Sequence, residues 1–123
     1  MYELIVERNF KATHALRLYD GAMESVHEHD WRVVVTVSSA GLDAIDVVVD
    51  FHALEGWLDG VIEPMCGACL NELKAFASCN PSAERVAERV AMGLGEKMPE
   101  GVRLVSVAVT EAPGCVAVYR PSD

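Results

Sequence analysis

The sequence predicts an α+β fold: one antiparallel sheet with helices on one face, its elements in the order β-β-α-α-β-β. Apolar residues alternate with period two near both ends of the chain, and between those ends their spacing changes to three and four. Runs of strands around a helical block favour a sheet of antiparallel neighbours. Composition sets the scale, since 123 residues, 51% hydrophobic and 24% charged, suit a single domain over residues 1–123 with a real core.

The stretch "YELIVERNFKATHAL" reads as a long first strand. Tyr2, Leu4, Val6, Phe10, Ala12, His14 and Leu16 share one parity, so His14 belongs to a largely apolar face. "WRVVVTVSS" is the second strand, and Trp31, Val33, Val35 and Val37 continue the parity of His27 and His29. "GLD" marks a turn, after which "IDVVVDF" is expected to extend the strand region. From Phe51 to about Ile62 the pattern is helical, with Leu54, Trp57, Leu58 and Val61 on one side and Pro64 as the stop. "NPSAERVAERVAMGL" is a second helix, with Asn80 as the expected N-cap and Pro81 at the first helical position. Val86, Ala87, Val90, Ala91 and Leu94 form its buried stripe. Two closing strands, "RLVSVAVTE" and "CVAVYR", are joined by "APG".

A net charge of −9 argues against a generic nucleic-acid surface, which needs an excess of Lys and Arg. No apolar stretch approaches the roughly 20 residues that span a bilayer. The start "MYELIVERNF" has charges where a signal peptide has its apolar segment. A cytoplasmic protein with no membrane and no nucleic-acid partner is therefore expected. In a reducing compartment Cys66, Cys69, Cys79 and Cys115 are expected as free thiols or metal ligands. "CGAC" is half of a zinc-ribbon pattern, but no second CxxC completes it.

The histidines carry the chemistry. In "VHEHDW", His27 and His29 stand two apart on a strand, so both side chains leave the same face. If the first two strands pair as a hairpin, His14 joins them. Three protein ligands with a fourth position open is the pattern of a catalytic zinc site. His52, at a helix start, reads as a surface or capping residue.

Six short motifs extend this reading over almost the whole chain: "FKATHAL", "HEHDW", "VVVDFHALE", "LNEL", "NPSAERVA" and "VTEAPGCVAVYR". Together, in the same order and with nearly the same gaps, they resemble the motifs of the 6-pyruvoyltetrahydropterin synthase and 6-carboxytetrahydropterin synthase family. The resemblance implies the tunnelling fold (T-fold), with subunits assembled as trimers or hexamers around an oligomeric barrel. It implies zinc held by His14, His27 and His29, a pterin-like small molecule as ligand, and Glu111 as the carboxylate that anchors the pterin ring. The implied chemistry is metal-assisted lyase-type rearrangement and elimination on the side chain of dihydroneopterin triphosphate.

The chain departs from the family pattern at the proton relay. The family's general base is a cysteine four residues before the His-x-His pair, where this chain has Met23, and a thioether is no useful proton acceptor. The family's Asp-His pair falls on Cys66 and Gly67. Glu28 replaces the glycine between the paired histidines and should point away from the metal face, and Ala112 replaces the threonine after Glu111. Two residues are candidates for the missing catalytic role: Glu24, in the loop beside Met23, and Cys66, whose thiolate would have a lowered pKa if it lay near zinc. Glu84 reads either as a first-turn acid favoured by the helix dipole or as an interface residue. The leading expectation is a zinc-dependent pterin-synthase-like protein with altered chemistry. The alternative is a non-catalytic pterin- or purine-binding zinc protein.

Overall fold

The computed structural model describes residues 1–122. Four strands form one antiparallel sheet, β1 Tyr2–His14, β2 His27–Ser39, β3 Arg103–Ala112 and β4 Cys115–Tyr119, side by side in that order. Helices α1 Phe51–Ile62 and α2 Ala83–Gly95 lie between β2 and β3 in the chain. The expected α+β class and element order are what the structure has.

The parity read from the sequence decides which face is covered. Val6, Phe10, Ala12, Trp31, Val33, Val35, Val37, Val107 and Val109 are all buried. They meet Leu54, Leu58 and Ile62 of α1 and the stripe Val86, Ala87, Val90, Ala91 and Leu94 of α2 in one core. Arg8 has the same parity yet is charged, and it reaches Glu55 at 3.1 Å and Asp59 at 2.7 Å on α1. Its aliphatic stem can line the layer while the guanidinium sits at the rim. On the opposite face of the sheet, Ile5, Val116 and Val118 are exposed in the single chain.

Two local expectations are corrected. Residues 45–50 form no strand: Asp43 Oδ1 accepts from the backbone N–H of Ile45 and Val47, and Asp46 has φ 67°. Val48 is buried, so this apolar run packs into the core without pairing to the sheet. The N-cap of α2 is Ser82, whose Oγ accepts from Arg85 N–H at 3.2 Å, and not Asn80. Asn80 is engaged elsewhere, accepting from Arg17 N–H at 2.8 Å and donating to Arg17 C=O at 3.0 Å.

Between the helices the chain makes three short 3₁₀ turns, Glu63–Met65, Leu70–Glu72 and Lys74–Phe76. They lie along the end of β1. Thr13 N–H donates to Ala68 C=O at 2.9 Å, and the Asn71 amide takes both backbone groups of Ala15, at 2.9 and 2.7 Å. Asn71 and Asn80 thus continue the hydrogen-bonding of β1 past its last strand residue. The chain just beyond His14 is fixed from outside the sheet.

A candidate metal centre

The antiparallel register sets His14 directly opposite His27, and Ala12 opposite His29. His29 is then the diagonal neighbour of His14 on the same face, within side-chain reach. The ligand atoms of His14, His27 and His29 all lie within 4.8 Å of one another. Their ring centroids are 4.7 to 5.2 Å apart, packed edge to face. Trp31 forms the floor: it is fully buried, its ring stands edge-on to His14 and His29, and its Nε1–H donates to Ala12 C=O at 3.2 Å.

Second contacts orient two of the rings. His14 Nδ1 is 2.7 Å from Pro81 C=O, and His27 Nδ1 is 2.9 Å from Ser25 C=O. A carbonyl only accepts, so each Nδ1 carries a proton, and in the neutral ring each Nε2 keeps its lone pair. His14 has no exposed surface, and Nε2 of both His14 and His29 is buried with no hydrogen-bond partner among the described residues. Burial lowers the His29 pKa, and the two neighbouring imidazoles add to this while Glu111 opposes it. A neutral imidazole is the form that binds a metal. Buried unpaired nitrogens are costly, and three converging imidazole lone pairs suit a borderline cation such as zinc.

Two carboxylates border the cluster. Glu111 Oε1 is 2.9 Å from His14 Nε2 and 3.9 Å from His29 Nε2. Glu24 Oε1 is 3.9 Å from His27 Nε2 and accepts from Leu16 N–H at 2.9 Å. Glu111 falls where the β3–β4 register shifts, between Thr110 and Ala112, so it is the extra residue of a bulge. Bulges commonly re-aim a side chain in this way. It also lines an open cavity of about 240 Å³ with Ala83, Glu84, Cys115, Val116 and Ala117. Glu84 and Cys115, neither assigned to a site from the sequence, therefore share a wall with Glu111.

The structure does not join the remaining candidates to this cluster. Cys66 is exposed, with Sγ 3.4 Å from Ile62 C=O at the end of α1. Burial of the sulfur, then the Glu63 and Asp59 carboxylates, push its thiol pKa up. Met23 is half exposed in the loop, Gly67 has φ 72° in a turn, and Glu28 points to solvent. His52 is exposed beside Glu55, and Asp50 caps its helix. What sequence reasoning missed are the backbone carbonyls of Pro81 and Ser25 and the clamps by Asn71 and Asn80. Their partners are up to 67 residues away, and no local pattern announces them.

Residues 3–122 match the model of the family described as 6-pyruvoyl tetrahydropterin synthase. A search of curated proteins finds no match. Among solved structures, the chain is similar to the Caenorhabditis elegans 6-pyruvoyl tetrahydropterin synthase, with a TM-score of 0.82 at 20% identity. The Plasmodium falciparum enzyme of that name gives 0.78 at 17% identity. A Plasmodium vivax 6-pyruvoyltetrahydropterin synthase whose catalytic glutamate is replaced by alanine gives 0.71 at 15% identity. Each alignment covers 99% of this chain and 98% of the other.

Proposed function

Because the chain belongs to the 6-pyruvoyl tetrahydropterin synthase family, we propose that it is a zinc-dependent protein that binds a pterin and acts on the side chain of a dihydroneopterin triphosphate-like substrate. The chemistry is altered from the parent reactions, because the cysteine and Asp-His relay positions hold Met23, Cys66 and Gly67. The observation that carries this reading is the cluster of His14, His27 and His29, two of whose buried nitrogens have no hydrogen-bond partner among the described residues, between the carboxylates of Glu24 and Glu111.

His14, His27 and His29 hold the zinc. When bound, zinc supplies Lewis acidity that lowers the pKa of the substrate's side-chain hydroxyls. Glu111 recognises the guanidine-like edge of the pterin ring through two charge-assisted hydrogen bonds, in the cavity it shares with Glu84. Glu24 takes the proton that the family's cysteine would take. Leu16 N–H fixes one of its oxygens beside His27, leaving the other free. A catalytic glutamate in the Plasmodium vivax relative supports a carboxylate in such a role. Cys66 is the weaker candidate, since its raised pKa leaves less thiolate. The chain acts in the cytoplasm as a homo-oligomer, a trimer or hexamer closed into a barrel.

The loss of all three relay residues favours a second reading, a non-catalytic pterin- or purine-binding zinc protein. Turnover of dihydroneopterin triphosphate separates the two. Wild type should turn over slowly, Glu24→Gln should lose a further hundredfold or more, and Cys66→Ser should match wild type. An inert wild type that still binds pterin, and gains turnover in Met23→Cys, supports the binding reading. Undiminished turnover in Glu24→Gln removes Glu24 as the base.

A further inference from the structure

We infer that Glu111 is a fourth ligand that closes the three-histidine metal site in the ligand-free protein, and that it leaves the metal when a ring ligand takes its carboxylate. This rests on the metal part of the reading above. The starting point is a contact that is unfavourable as it stands. His14 Nδ1 donates to Pro81 C=O, so in the neutral ring His14 Nε2 presents a lone pair, and 2.9 Å away is a carboxylate oxygen, also an acceptor. Two acceptors at that distance repel unless a proton or a metal cation lies between them, and the lack of hydrogen-bond geometry at this nitrogen favours the metal. The contact makes no hydrogen bond, and His14 Nε2 is buried in a residue with 0% exposure.

The spacing is close to that of a coordination shell. With metal–ligand bonds of about 2.0–2.2 Å, the ligand atoms of a tetrahedron stand roughly 3.3–3.6 Å apart. Glu111 Oε1 lies 2.9 and 3.9 Å from the two unpartnered nitrogens, on either side of that value. Glu24 cannot fill this place as readily. Its near oxygen is held by Leu16 N–H and stands 3.9 Å from His27. Glu111 faces both His14 and His29, sits on a bulge, and keeps 30% of its side chain exposed beside the cavity it lines. It is free to turn from the metal to a ring edge.

The site then has two states. Without a ring ligand, three imidazoles and one carboxylate satisfy the metal. With it, the carboxylate pairs with the ring's N–H groups and a metal position opens for the substrate's side chain. Ring binding and opening of the metal are coupled, so a ring without a side chain should loosen the metal rather than tighten it.

The test reads the metal directly, without turnover. Zinc affinity is measured by competition with a chromophoric chelator, and the coordination shell from the visible bands of the cobalt(II) protein, with circular dichroism as the check on folding. Glu111→Gln should weaken zinc at least tenfold and change the cobalt bands, and Glu111→Asp should recover part of the loss. Equal zinc affinity and superimposable cobalt bands in Glu111→Gln and wild type would overturn the inference. Added pterin, the bare ring without a side chain, should shift the wild-type cobalt bands, and saturable pterin binding with unmoved bands would overturn the exchange. A wild type that binds no pterin at all removes the pterin reading, while the chelator competition still decides the ligand.

Discussion

His14 shows how much one side chain can depend on its surroundings. It is fully buried, and among the described residues only one of its nitrogens has a hydrogen-bond partner, the Pro81 carbonyl. The other points at His27, His29 and Glu111. If this set holds one zinc per subunit, His27→Ala should lose most of the bound metal in elemental analysis; unchanged content would move the site elsewhere. His27 suits this test because it is half exposed, so its truncation leaves the core intact. Glu111→Gln puts a donor where a ring edge needs an acceptor. At saturating zinc, pterin affinity should fall at least tenfold, about 1.4 kcal/mol, and equal affinity in a binding titration would dismiss Glu111 as the ring anchor. The paired histidines were readable because strand parity makes spacing speak for direction. The Pro81 contact was not, because it joins residues 67 apart.

Among the elements, those with a strong period were legible, and the corrections fall where side chains override it. The run Val47–Val49 looks like a strand, but Asp43 captures the backbone N–H groups of Ile45 and Val47 that a ladder would use. Asn80 and Ser82 are both good caps by type, and only the tertiary contact of Asn80 with Arg17 leaves Ser82 to do it. Helix packing gives a sharper case at Gly93 on α2. A Cβ built there would stand 2.9 Å from both methyl carbons of Val61 on α1. Alanine would gain up to about 1 kcal/mol of helix propensity. Yet a β-branched valine in a helix has essentially one rotamer and cannot turn aside, and overpacking costs about 1–3 kcal/mol. Gly93→Ala should therefore be destabilising on balance, read as a lower midpoint in urea; a higher midpoint would mean that the two helices separate freely.

At the scale of the molecule, the sheet ends in two open edges, β1 and β4, and one bare face. Ile5 on β1 and Val116 and Val118 on β4 are 59%, 55% and 47% exposed. Unpaired edges invite pairing, and closing a ring through them removes both at once. The proposed homo-oligomer should give a light-scattering mass of three or six times 13.3 kDa, and a mass of 13.3 kDa would count against it. The layer architecture could be read from the sequence because one face of each strand is apolar. How the bare face is covered could not, since Ile5, Glu7 and Lys11 alternate there without a stripe.

Trp31 gives the protein an optical gauge of its own. Its indole is sealed from water and lies 4.9 Å from the His14 ring and 5.7 Å from the His29 ring, centre to centre. The other tryptophan, Trp57, is half buried on α1. Indole emission responds to the charge and mobility of the rings beside it, so the fluorescence of Trp31 reports whether those imidazoles are bare, protonated or bound. Replacing Trp57 by phenylalanine would leave one emitter, seated against the chemistry, and the state of the site could be followed in solution without any added label.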